Sequence, residues 1–95
     1  MFNLLKILFN KKTLPYQLSE EEESSLLKLS QEKSVQINGG NFIIKKIEEL
    51  PNGEKHYFFD NRVLIFKDKK INFAIVKPTR HGTGWWPQKI ESIKF

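Results

Sequence analysis

The chain contains no cysteine. That excludes disulfide staples and thiolate metal sites, the usual supports of very small folds, and it excludes a thiol nucleophile. A secreted domain of this size ordinarily carries cysteines, so a reducing, cytoplasmic setting is the expectation. Histidine is limited to His56 and His81, too far apart for the clustered spacing of a metal site. No serine stands in a Gly-x-Ser-x-Gly turn. Gly82-Thr83-Gly84 lacks both the third glycine and the Gly-Lys-Ser/Thr of a phosphate loop. Asp60 and Asp68 both fall in turn-like stretches, where aspartate is favoured for backbone reasons. Neither catalytic machinery nor a cofactor or metal is therefore expected.

Long hydrophobic runs are also missing, and nothing in the chain is long enough to span a bilayer. Residues 1–12 carry Phe2, Leu4, Leu5, Ile7, Leu8 and Phe9, interrupted by Lys6. They have no basic region ahead and no small-residue cleavage site, so they do not read as a secretory signal. A short amphipathic helix docked on the body of the domain is expected there. The alternative is weak membrane-surface contact helped by Lys6, Lys11 and Lys12. Arginine is scarce as well: of 16 basic residues only Arg62 and Arg80 are arginines. A lysine- and asparagine-rich composition of this kind fits AT-rich coding and says nothing of function.

What is present suffices for one small core. Hydrophobic residues make up 39% and aromatics 13% of 95 residues, enough for a single domain over 1–95. The net charge of +5 is unevenly spread. Residues 20–33 hold five glutamates against two lysines, whereas residues 55–95 hold nine basic residues against three acids. The positive field belongs to the C-terminal half.

Local signals predict an α+β fold: one or two N-terminal helices, then a five- to six-stranded antiparallel meander sheet or a partly closed small barrel. Pro15 disfavours helix at Leu14, so residues 13–18 read as an extended connector. Ser19-Glu-Glu-Glu22 fits a capping box, and Glu20 to Glu23 sit at the positive end of the helix dipole. The predicted acidic helix runs over 19–33, with Leu26, Leu27 and Leu29 as its buried face. The sheet occupies 34–95. Asn38-Gly39-Gly40-Asn41 predicts a hairpin pairing Ile37 with Phe42 and Val35 with Ile44. Leu50-Pro51-Asn52-Gly53 predicts a turn setting Glu49 opposite Lys55 and Ile47 opposite Tyr57. Asp60-Asn61 reads as a tight turn or a bulge, and Asp68-Lys69 as a hairpin pairing Phe66 with Ile71 and Leu64 with Phe73. Ile71 to Val76 is a strand, and Lys89 to Phe95 a weaker edge strand.

Between those two strands, two prolines and two glycines mark residues 77–89 as a loop. Adjacent Trp85 and Trp86 cannot easily both face a core, so one is expected to pack on the sheet and leave the other at the surface. With Lys77, Arg80, His81 and Lys89 nearby, the segment has the composition of a stacking-plus-charge site. The competing reading makes both indoles lids over an open barrel end.

The function expected from these residues is a non-enzymatic binding module for an anionic ligand: a nucleic acid, a nucleotide or an acidic protein surface. Its candidate ligand-binding residues are Lys77, Arg80, His81, Trp85, Trp86 and Lys89. A small inhibitor or accessory protein, of the kind mobile elements encode, fits the same charge segregation through a protein partner. The stretch from Asn61 to His81, with an arginine strand, a short charged turn and an apolar strand ending in Arg80-His81, resembles the last two strands of small bacterial mRNA-cleaving toxins. That resemblance covers about a fifth of the chain and lacks the family's N-terminal strand. It implies ribonuclease activity through Arg62, Arg80 and His81.

Overall fold

The structure is a computed structural model and describes residues 15–95; the helix expected over 1–12 lies outside the described residues. Strand β1 (Tyr16–Gln17) leads into helix α1 (Glu20–Leu27). Eight further strands follow: β2 (Ser34–Ile37), β3 (Gly40–Ile43), β4 (Lys46–Glu49), β5 (Lys55–Phe58), β6 (Arg62–Lys67), β7 (Lys70–Thr79), β8 (Gly82–Gln88) and β9 (Ile93–Lys94). They form two antiparallel sheets. A six-stranded sheet runs β1-β7-β6-β5-β4, with β8 on β7; a three-stranded sheet runs β3-β2-β9. The architecture is mostly antiparallel sheet with one small helix, and the sheets do not close into a barrel. The helix is not N-terminal to the sheet as expected, because β1 precedes it and joins the large sheet.

Turn chemistry sets the meander. The Pro51-Asn52-Gly53 turn places Glu49 opposite Lys55 and Ile47 opposite Tyr57, with Gly53 at φ +93. Asp60-Asn61 is a tight turn, since Phe58 pairs with Val63 and Phe59 N–H donates to the Arg62 carbonyl at 2.9 Å. Asp68 and Lys69, at φ 52 and 65, close the β6–β7 hairpin with Phe66 opposite Ile71 and Leu64 opposite Phe73. Left-handed geometry at both central positions matches strand twist, and a short side chain at Asp68 tolerates it.

At the first hairpin the register differs from the expectation. The turn residues are Asn38 and Gly39, at φ 51 and 85, so Val35 pairs with Phe42 and Ile37 with Gly40. Asparagine tolerates the left-handed region, and this one is fixed by its side chain. Its Nδ2 donates to the Lys89 carbonyl at 2.8 Å, and its Oδ1 accepts from Glu91 and Ser92 N–H at 2.6 and 3.1 Å. The pairing shifts by two places, which preserves the faces; Val35, Ile37, Phe42 and Ile44 all join one core.

The capping box forms as expected: Ser19 Oγ accepts from Glu22 N–H, and the Glu22 carboxylate accepts from Ser19 N–H. The helix stops at Leu27, not near Lys33. Lys28 and Leu29 N–H turn back to the carbonyls three residues earlier, and Glu32 at φ 76 redirects the chain into β2. Leu26 is fully buried, Leu29 is half-buried, and Leu27 is exposed, so Leu27 is not part of the buried face.

The first face of the large sheet presents Tyr57, Leu64, Phe66, Ile71 and Phe73. Helix α1 and the small sheet cover it through Leu26, Val35, Ile37, Ile44 and Ile93. Each such side chain contributes about 1.5–3 kcal/mol on burial. The Tyr57 hydroxyl donates to the Leu26 carbonyl at 3.3 Å and ties helix to sheet. The last strand is only Ile93–Lys94, pairing with β2, shorter than the Lys89–Phe95 expected. The second face carries a smaller cluster of Val63, Ile65 and Ala74, flanked by Phe58, Val76 and Trp85. Among the described residues no helix is long and apolar enough to cross a membrane.

Candidate functional site

Residues 77–89 are not a loop. They belong to a β-ribbon in which β7 runs on to Thr79, turns at Arg80-His81 and returns as β8, pairing Thr79 with Gly82 and onward to Phe73 with Gln88. The prolines are admitted because neither is asked for a ladder hydrogen bond. Val76 N–H donates sideways to the Asn61 carbonyl at 2.8 Å. By the alternation of an antiparallel ladder, the Pro78 nitrogen points to that same side, beyond the end of β6 at Arg62. Pro87, opposite Ala74, turns its nitrogen to the outer margin of β8. The ribbon tip thus extends past the rest of the sheet, from Lys77 onward on β7. The Thr79 hydroxyl braces it, donating to the Gly82 carbonyl at 2.9 Å and accepting from His81 N–H at 3.2 Å.

Strand alternation sends the two tryptophans to opposite faces. Trp85 turns to the second face, half-buried, and reaches over Val63 and Ala74. Its ring lies 5.6 Å from His56 and 6.0 Å from Phe58, edge-on to both. His56, 5% exposed, donates from Nε2 to the Glu54 carboxylate at 3.0 Å. Trp85 is thus a packing residue on a sheet face, as expected for one of the two indoles, and with no closed barrel there is no open end for either to cover. Trp86 turns to the first face, beyond the cover of the small sheet, and is 44% exposed. The outer carbons of its indole occupy the space beside Gly84, and Lys77 Nζ stands 6.0 Å from the ring centroid.

Register adds a residue that the binding-site prediction left out. Arg62, Ile75 and Trp86 stand side by side on β6, β7 and β8, so Arg62 and Trp86 are two strand spacings apart, about 10 Å. The Arg62 guanidinium lies 5.8 Å over the Phe42 ring and donates once to the Asn61 carbonyl at 3.3 Å. Arg62, Lys77 and Trp86 therefore frame one cation–aromatic platform around Ile75, with Lys77 and Trp86 exposed and Arg62 and Ile75 half-buried. No motif marks it in the sequence; only the pairing of three strands assembles it.

The remaining predicted residues are placed around this platform. Arg80 and His81 form the exposed ribbon tip, and Lys89 is exposed just past β8. Arg62 pairs with Ile75, five residues short of Arg80, about 16 Å along the strand. The basic residues that the toxin resemblance would carry are therefore not brought together. Electrostatically the ribbon is one-signed: residues 69–90 hold Lys69, Lys70, Lys77, Arg80 and Lys89 and no acid. The ion pairs among the described residues are Lys46–Glu48, Lys55–Glu49 and His56–Glu54, so none neutralises the ribbon. No group of three or more acidic or histidine ligands suited to a metal occurs among the described residues. No family model, curated protein or solved structure matches the chain.

Proposed function

We propose that the protein is a non-enzymatic binding module that engages nucleic acid through the β7–β8 ribbon. One observation carries the reading: an exposed indole, Trp86, is seated over Gly84 with Lys77 Nζ 6.0 Å from its ring centroid, in a stretch of 22 residues without an acid. A base stacked on an aromatic face contributes about 1–3 kcal/mol. Cations on either side serve phosphates, and their gain comes from counterion release. Arg80 at the tip and Arg62 beside Ile75 extend the positive track in both directions from Trp86.

The test is binding of a fluorescently labelled oligonucleotide measured across salt concentrations. Three phosphate contacts, at Arg62, Lys77 and Arg80, give a log–log slope of about −2 for a single strand. Arg80→Ala is expected to shallow that slope by about 0.7 and leave the fold intact. Absence of salt-dependent binding at low ionic strength overturns the reading. A stoichiometric complex with a purified acidic protein would replace it.

A further inference from the structure

Beside the platform, the outer edge of β3 and the β5–β6 turn enclose a cleft of about 290 Å³. Its walls include Phe42 and Phe59, with ring centroids 5.5 Å apart. Its rim carries Asn41, Asp60 and Asn61, all exposed, and Lys45. Arg62 joins cleft to platform, since its guanidinium covers the Phe42 ring while its backbone stands in the row with Trp86. We infer that this cleft receives a single unpaired base of the same strand that stacks on Trp86, and that Asn41, Asp60 and Asn61 read the edge of that base. The inference rests on the ribbon engaging a nucleic acid.

Three features favour a base over a phosphate in the cleft. The half-buried Phe42, with buried Phe59 behind it, makes the cleft floor apolar and aromatic. A base entering there would share the Phe42 ring with the Arg62 guanidinium, itself a planar stacking partner. The rim holds amide donors and acceptors together with a carboxylate, the groups that discriminate base edges. Asp60 on the rim repels phosphate from the cleft, while Lys45 on the same rim and Arg62 beside it supply cations for the backbone. A duplex cannot satisfy this arrangement, because its bases present no free face to Trp86 and cannot turn into a cleft beside it. The ligand class is therefore a single strand, with affinity from Trp86 and the cations and base preference from the cleft.

Binding of labelled adenine, cytosine and thymine homo-octamers, a matched duplex and an abasic strand, all at low salt, tests this. The wild type is expected to separate the tightest from the weakest homo-octamer by about tenfold, within the range of one good base-edge contact, and to bind the duplex and abasic strand more weakly than any of them. Asn41→Ala with Asn61→Ala is expected to flatten the ranking without weakening the poorest homo-octamer, at an unchanged melting temperature. Asn41→Ala alone, at an exposed strand position, serves if the double variant loses the fold. Equal binding of the three homo-octamers by the wild type overturns the base-reading cleft and leaves the ribbon reading standing. Equal binding of the abasic strand reduces the site to phosphate contacts and overturns the inference, and no binding to any strand overturns both readings.

Discussion

Trp86 and Gly84 stand two residues apart on one strand, and the indole of the first fills the space that a side chain on the second would need. A β-carbon at Gly84 collides with the outer carbons of the ring and comes within 3.1 Å of Thr79 Cγ2. Gly84 is not held at a positive φ, so the glycine is there for room and not for backbone freedom. Gly84→Ala therefore unseats the indole without straining the strand. Its oligonucleotide affinity is expected to fall to that of Trp86→Ala, with stability changed by less than about 1 kcal/mol. Titration and thermal melts of the two variants check this together, and wild-type affinity in Gly84→Ala would show that the seated indole is not the stacking surface.

The paired tryptophans are expected to behave as opposites. Trp85→Ala uncovers Val63 and Ala74 and removes the edge contacts with His56 and Phe58. It is expected to cost about 2–4 kcal/mol, a little below the roughly 3–5 kcal/mol of aromatic truncations in a core because the ring is half-buried. Trp86→Ala, at a residue 44% exposed, is expected to cost no more than about 1 kcal/mol. Urea unfolding of the two single variants distinguishes them, and equal losses would mean that both indoles serve packing.

Alkaline pH provides a reading of the helix–sheet junction. Burial pushes the Tyr57 phenol up to about 12, with the Glu49 carboxylate adding to the shift. The folded chain keeps this proton above pH 10, where the unfolded chain releases it, so stability falls as pH rises from about 10 to 12 and is unaffected below. The loss is roughly 2–3 kcal/mol over that interval. In Tyr57→Phe this component disappears. The variant instead lacks the hydrogen bond to the Leu26 carbonyl, about 1 kcal/mol at neutral pH. Parallel stability curves for the two proteins between pH 10 and 12 would contradict the assignment.

Asn38→Gly tests whether the first turn is held by conformation or by its side chain. Glycine suits φ 51 at least as well as asparagine, so turn propensity alone predicts no loss. The side chain, however, makes three hydrogen bonds to the Lys89–Ser92 segment. The expected cost is about 1–2 kcal/mol, or roughly 4–16 °C in melting temperature. A melting temperature at or above the wild-type value would assign the turn to backbone preference.

Much of the meander was legible because turn chemistry is local. Pro51-Asn52-Gly53, Asp60-Asn61, Asp68-Lys69 and the Ser19–Glu22 box each act within a few residues. The first and third give the expected registers, Asp60-Asn61 is the turn and not the bulge of its two readings, and the box forms. The first hairpin was misplaced by one residue because Asn38, Gly39 and Gly40 all tolerate the left-handed turn. The choice among them is made by Asn38's bonds to residues more than fifty positions away. The ribbon was hidden for a different reason. Pro78 and Pro87 read as strand breakers, and which side of a ladder a missing N–H faces is decided only once the pairing exists. The same holds for Arg62, whose place beside Trp86 is a property of three registered strands. Two-sheet architecture was equally non-local, since β9 returns to pair with β2 across the length of the domain.

The two prolines have one further consequence, for solubility. A ribbon that extends past its sheet offers bare margins on which another chain's strand would ordinarily be templated. Here the margin on the β6 side lacks a donor at Pro78 and the outer margin of β8 lacks one at Pro87. Neither flank can complete a continuous ladder with a stray strand. Each proline thus interrupts the row of donors that an added strand would need, while the faces of the arm stay open to side-chain contacts.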